Sequence, residues 1–62
     1  MNWTKVIEEL LNEYGMKAAD IHRETGLSKS MISRLQNGVM EQPRFDDGVK
    51  LMKLYSRKTY GG

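Results

Sequence analysis

Apolar residues recur along this chain at helical rather than strand intervals, in four stretches separated by glycines and one proline. In the first stretch Trp3, Val6, Ile7, Leu10, Leu11 and Tyr14 share one arc, while Glu8, Glu9, Asn12 and Glu13 mostly lie outside it. Asn2 can cap its start and Gly15 can close its end, so a helix is predicted over 3–14. The second stretch, 17–25, is shorter, with Ala18, Ala19 and Ile21 as its apolar side and Gly26 as its stop. The third opens at Ser28, a good N-cap, and runs to Asn37 before Gly38. A loop follows, and a fourth helix opens at or just after Pro43. Asp46 and Asp47 then fall in its first turn and Lys53, Arg57 and Lys58 toward its end, each sign where the helix dipole favours it. Phe45, Val49 and Met52 form the predicted inward stripe of this helix, and Thr59 to Gly62 a frayed tail. The expectation is one all-α domain over 1–58 with a flexible tail over 59–62.

The turn between the second and third helices carries the most information. Gly26-Leu27-Ser28 is the short, glycine-containing link that two steeply crossed helices need. Leu27 plugs the bend, and Ile21, Leu27, Ile32 and Leu35 form the inner surface of the unit over 17–37. With Lys29 set at 0°, Ser33 falls at about 40°, Asn37 at about 80°, Ser30 at about 100° and Arg34 at about 140°. Met31, Ile32 and Leu35 fall between about 200° and 300° and hold the helix to the body. The polar face carries lysine, serines, arginine and asparagine, with no acid. Short hydroxyls permit close approach to a duplex, and Lys and Arg reach base acceptors or phosphates. The plainer reading is a solvent-facing stripe, but solvent faces usually mix acids with bases.

Charge sharpens this picture. Residues 1–26 set Lys5, Lys17 and Arg23 against Glu8, Glu9, Glu13, Asp20 and Glu24, a balance of −2. Residues 27–62 set Lys29, Arg34, Arg44, Lys50, Lys53, Arg57 and Lys58 against Glu41, Asp46 and Asp47, a balance of +4. The second half therefore suits a polyanion, although an ordinary solvated surface would also serve.

Composition excludes other classes. With 62 residues the chain has room for one small core, and without cysteine it has neither disulfides nor a thiolate zinc site. His22 alone builds no metal site. No pairing of nucleophile with base and no phosphate-cradling glycine loop is present, so the reading is a binding protein that needs no cofactor, not an enzyme. No apolar run is long enough for a membrane span, and the start lacks a signal-peptide layout. The chain reads as cytoplasmic, in a bacterial cell or a phage-infected host, and as complete or nearly so.

Residues 16–45, MKAADIHRETGLSKSMISRLQNGVMEQPRF, resemble the helix-turn-helix of the lambdoid phage repressors and Cro proteins, the Xre family. The resemblance covers about half of the chain closely. It is most specific at Gly26-Leu27-Ser28, Ile32-Ser33-Arg34-Leu35, Asn37-Gly38 and Pro43-Arg44-Phe45. It implies a compact four- to five-helix lambda-repressor-like fold that binds double-stranded operator DNA, usually as a two-fold dimer. By position, Lys29, Ser30 and Arg34 match residues that read base edges, and Ser33 joins them on the groove-facing side. Ser28 and Asn37 match positions near the sugar-phosphate backbone, and Arg44 a basic residue near the phosphates and minor groove. The family often has Gln where this chain has Ala18, so Lys17 or backbone N–H groups must supply that phosphate contact. Where the family prefers a small residue stands His22, which must lean outward or widen the helix crossing. It is read as a partly buried, hydrogen-bonded histidine.

Little chain follows the fourth helix, so a fifth is short or missing. Leu51 and Leu54, turned partly away from the predicted inward stripe, are expected to form a homodimer patch with Tyr55, to which Tyr60 can add; isolated exposed apolar residues are the alternative. The same scaffold would also serve a restriction-system controller, an antitoxin, or a helical protein-interaction module that binds no DNA.

Overall fold

The computed structural model describes residues 2–61. Four helices follow in order: α1 (Trp3–Asn12), α2 (Ala18–Thr25), α3 (Lys29–Gln36) and α4 (Phe45–Tyr60). They pack into a body of 30 × 21 × 21 Å, with no strand among the described residues.

Local chemistry sets each boundary. The Asn2 side chain accepts from the Lys5 N–H at 3.1 Å and starts α1. That helix ends at Asn12, two residues before Tyr14, because the chain turns through Gly15 and the Met16 N–H returns to the Leu10 carbonyl at 3.0 Å. The turn leaves Tyr14 on the surface and carries Met16 into the core in its place. The Asp20 carboxylate accepts from the Lys17 N–H at 3.0 Å at the start of α2. Ser28 Oγ accepts from the Met31 N–H at 3.1 Å at the start of α3.

One core holds the helices together. Ile7 and Leu10 of α1, Ile21 of α2, Leu27 of the turn, Ile32 and Leu35 of α3, and Leu51 and Leu54 of α4 are fully buried. Removing eight such side chains from water is the main favourable term for so small a domain. Two side-chain hydrogen bonds tie α1 to other helices at its edge. The Tyr55 hydroxyl donates to Glu9, tying α4 to α1, and the Thr4 hydroxyl donates to the Leu35 carbonyl at 2.6 Å, tying α1 to the last turn of α3.

The phase of α4 is opposite to the expectation. Leu51 and Leu54 face the core, and Phe45 and Val49 face solvent, with Phe45 84% exposed. Gly48 sits on the core side of the helix, beside the Trp3 indole and Pro43, where a Cβ would meet them at 3.4 and 3.5 Å, ordinary van der Waals contact. Gly48, Leu51 and Leu54 thus form the buried arc. Leu51 and Leu54 cannot contribute to a surface for a second copy, and the half-buried Tyr55 spends its hydroxyl on Glu9. Thr59 and Tyr60, expected to fray, continue α4, with the Thr59 hydroxyl donating to the Tyr55 carbonyl at 3.0 Å. Gly62 lies outside the described residues.

Candidate nucleic-acid interface

The α2–α3 turn is fixed by a small set of directed contacts. Gly26 takes the left-handed conformation, φ +79°, which a side chain would disfavour, and its N–H closes α2 on the His22 carbonyl at 2.7 Å. Leu27 plugs the bend at 2% exposure. Thr25 is the one residue in this turn that its sequence position did not mark. It is 3% exposed, and its hydroxyl donates to the Ile21 carbonyl at 2.6 Å. The same oxygen accepts from the Leu27 N–H at 3.2 Å. One hydroxyl therefore satisfies a buried backbone donor that would otherwise be stranded as the chain leaves α2.

His22 completes the turn. Its imidazole leans outward, and Nδ1–H donates to the Leu27 carbonyl at 2.6 Å. A carbonyl only accepts, so the proton sits on Nδ1. The residue is more exposed than expected but hydrogen-bonded as expected, and the two helices still cross closely enough to bury Ile21 and Ile32 completely.

Held this way, α3 buries Ile32 and Leu35 against α1 and α2, with Met31 at the core edge. Lys29, Ser30, Ser33, Arg34 and Asn37 are all exposed, as is Ser28 at its cap. Asn37 Nδ2 donates to Ser33 Oγ at 3.3 Å, so these two side chains lean together at the end of the polar face. Ser28 Oγ is occupied as an acceptor by the cap but keeps its proton for an outside acceptor. Gln36 is also exposed and falls at about 340° on the same scale, beside Lys29. It borders the apolar arc in sequence, yet its amide offers both a donor and an acceptor. Surface clefts between α2 and α4, against α1 and α4, and along α1 are lined by other residues. The exposed polar face of α3 suits insertion into a groove.

The start of α2 is more nuanced. By helix geometry the N–H groups of Ala18 and Ala19 have no acceptor within the helix. The Asp20 carboxylate stands beside them, paired with Arg23 at 2.8 Å. The hydrogen bond from the Lys17 N–H, with help from Arg23, holds its carboxyl below the usual carboxylate range. Any phosphate at this end meets the exposed Lys17 and free N–H groups together with a fixed negative charge. Arg44 is exposed at the N-cap of α4, outside the α2–α3 unit.

A family model, the Cro/C1-type HTH DNA-binding domain, matches residues 6–58. The chain belongs to that family. The match spans all of α2, α3 and the turn between them, and most of α1 and α4. Membership makes this a DNA-binding domain. No curated protein and no solved structure matches the chain. Among the described residues no group of three or more potential ligands could hold a metal ion, and no helix is long and apolar enough to cross a membrane.

Proposed function

We propose that this Cro/C1-type domain is a sequence-specific transcriptional regulator of phage or prophage type, acting on a palindromic operator as a homodimer. The observation that carries the reading is the acid-free, fully exposed face of α3, anchored from behind by Ile32 and Leu35. In the major groove, Lys29, Ser30, Ser33 and Arg34 meet base edges. Arg34 has the geometry for two parallel hydrogen bonds to guanine O6 and N7. Lys29 to Arg34 spans about 7.5 Å of helix rise, enough for about two base-pair steps. Lys17, Ser28, Asn37 and Arg44 contact the sugar-phosphate backbone and set the register, which gives affinity without reading sequence. Two such helices related by a two-fold axis would enter successive major grooves about 34 Å apart.

The test is selection from random duplexes, followed by titration of the winning site at several salt concentrations. The expected result is an enriched inverted repeat whose binding weakens steeply with salt. A pure protein-interaction module would give no enrichment and no duplex binding at physiological salt.

A further inference from the structure

A groove of about 580 Å³ runs along the outer side of α4. Its apolar floor is Phe45, Val49 and Met52, which fall within about 60° of one another around the helix axis, with Trp3 and Pro43 completing the lining. Phe45 is 84% exposed and Val49 39%. Two cations line the groove as well, Arg44 at its head and Lys53 about 13 Å further along the helix. Neither has an ion-pair partner in the chain among the described residues. The acids nearest in sequence, Glu41, Asp46 and Asp47, take no part in the lining, and Asp47 is turned about 160° around the axis from Phe45. Two other clefts differ in this respect. One holds Glu24, which pairs with Arg57 at 3.9 Å, and the other sets Glu8, Glu9 and Glu13 beside a single lysine.

We infer that this groove is a docking site for an acidic amphipathic helix of a partner protein, with apolar anchors for the floor and a carboxylate toward each end for Arg44 and Lys53. Charge complementarity selects this occupant. A duplex would answer the two cations, but its sugar-phosphate backbone would leave the apolar floor wet. A second copy would cover the floor, but its groove offers only further cations to Arg44 and Lys53. A neutral apolar segment would desolvate both charges without pairing either. An acidic amphipathic segment satisfies floor and cations together, and it does so at a surface where a large exposed aromatic otherwise has no use. The described residues contain no strand whose edge could pair with an extended peptide, so the guest carries its own backbone hydrogen bonds as a helix. From Phe45 to Ser56 the groove offers about 16 Å, three helical turns, which is room for anchors at i, i+4 and i+7. No residue of α3 lines it, and of the backbone contacts proposed above it shares Arg44 alone. The partner and the duplex therefore use separable surfaces.

The test is titration of the isotope-labelled full chain, without DNA, with three synthetic peptides of about 16 residues, read by amide and indole chemical shifts. The first is a helix-forming peptide with leucine and phenylalanine at i, i+4 and i+7 and glutamates toward both ends. The second has lysine for each glutamate, and the third has alanine for each apolar anchor. The glutamate peptide should shift Gly48, Val49, Met52 and the Trp3 indole and saturate below about 1 mM. The lysine and alanine peptides should each bind at least about tenfold more weakly. Lys53→Glu, its fold verified by circular dichroism, should weaken the glutamate peptide and strengthen the lysine one. Absence of saturation, equal binding of the glutamate and lysine peptides, or shifts centred on Lys50 and Arg57 instead would each overturn the proposal. Movement of Val49 and Met52 with no peptide present, on raising the protein concentration or on adding a duplex, would assign the groove to a second copy or to nucleic acid and overturn it too. Because the peptide titrations contain no DNA, their failure leaves the DNA reading standing.

Discussion

Replacing Thr25 by valine isolates what holds the recognition turn in place. The two side chains have nearly the same shape and both are β-branched, so the change is close to hydroxyl for methyl. The site is 3% exposed and Leu27, whose N–H loses its acceptor, is 2% exposed. Water cannot readily replace the missing partner there. A buried donor left unsatisfied costs about 1–3 kcal/mol. The Ile21 carbonyl loses one of its donors but remains in the helix ladder, a smaller loss. The added methyl returns less than about 1 kcal/mol by burial. The net expectation is destabilisation by about 1–2 kcal/mol, which for a domain this small lowers Tm by about 5–15 °C. Urea and thermal unfolding followed by circular dichroism would measure it, with an unchanged m value as the sign that only stability moved. If Thr25→Val proves as stable as the parent, Thr25 does not satisfy the turn, and the account of how α3 is set against α2 fails.

Other expectations follow from the same geometry. Leu51→Ala should cost about 2–5 kcal/mol and leave the domain largely unfolded, whereas Phe45→Ala should change monomer stability by less than about 0.5 kcal/mol; equal effects in chemical denaturation would contradict the phase of α4. Arg34→Ala should weaken operator binding by about 1–3 kcal/mol and relax preference at one base pair, while Lys17→Ala should weaken all duplexes alike and reduce the salt slope by about one, both measured by fluorescence titration. The hydrogen bond to Glu9 pushes the Tyr55 hydroxyl up to about 12 from its usual 10. The folded state thus favours the protonated phenol, so this contribution is complete below pH 10 and disappears as the pH rises from 10 to 12. Unfolding of Tyr55→Phe across that window should lack this component of the decline.

The helix-turn-helix was legible because its signals are local. Ser28 caps, Gly26 turns, and Ile21, Leu27, Ile32 and Leu35 bury where periodicity put them. The phase of α4 was not legible, because that helix carries two apolar arcs. Phe45, Val49 and Met52 make the bulkier one, and hydropathy alone favours it. The partners that settle it are distant in sequence: the arc of Gly48, Leu51 and Leu54 packs against α1 and α2, with Trp3, forty-five positions before Gly48, lying beside it. Thr4 and Thr25 escaped notice for a related reason: a threonine on a helix is commonplace until a distant or buried backbone group turns out to be its partner. His22 fell between these cases. Its departure from the family was visible, but the outward lean and the bond to the Leu27 carbonyl depend on the turn itself.

Amide chemical-shift mapping of the labelled protein, titrated with a duplex containing its selected site, tests the central claim most directly. The largest changes should run from Ser28 to Asn37 along α3, with a second set at Lys17 and Ala18 and a third at Arg44. The amides of α1 before Leu10 should move little. Perturbation centred on α1 or on the outer side of α4, with Lys29 to Arg34 unmoved, would contradict the assignment of α3 to the groove.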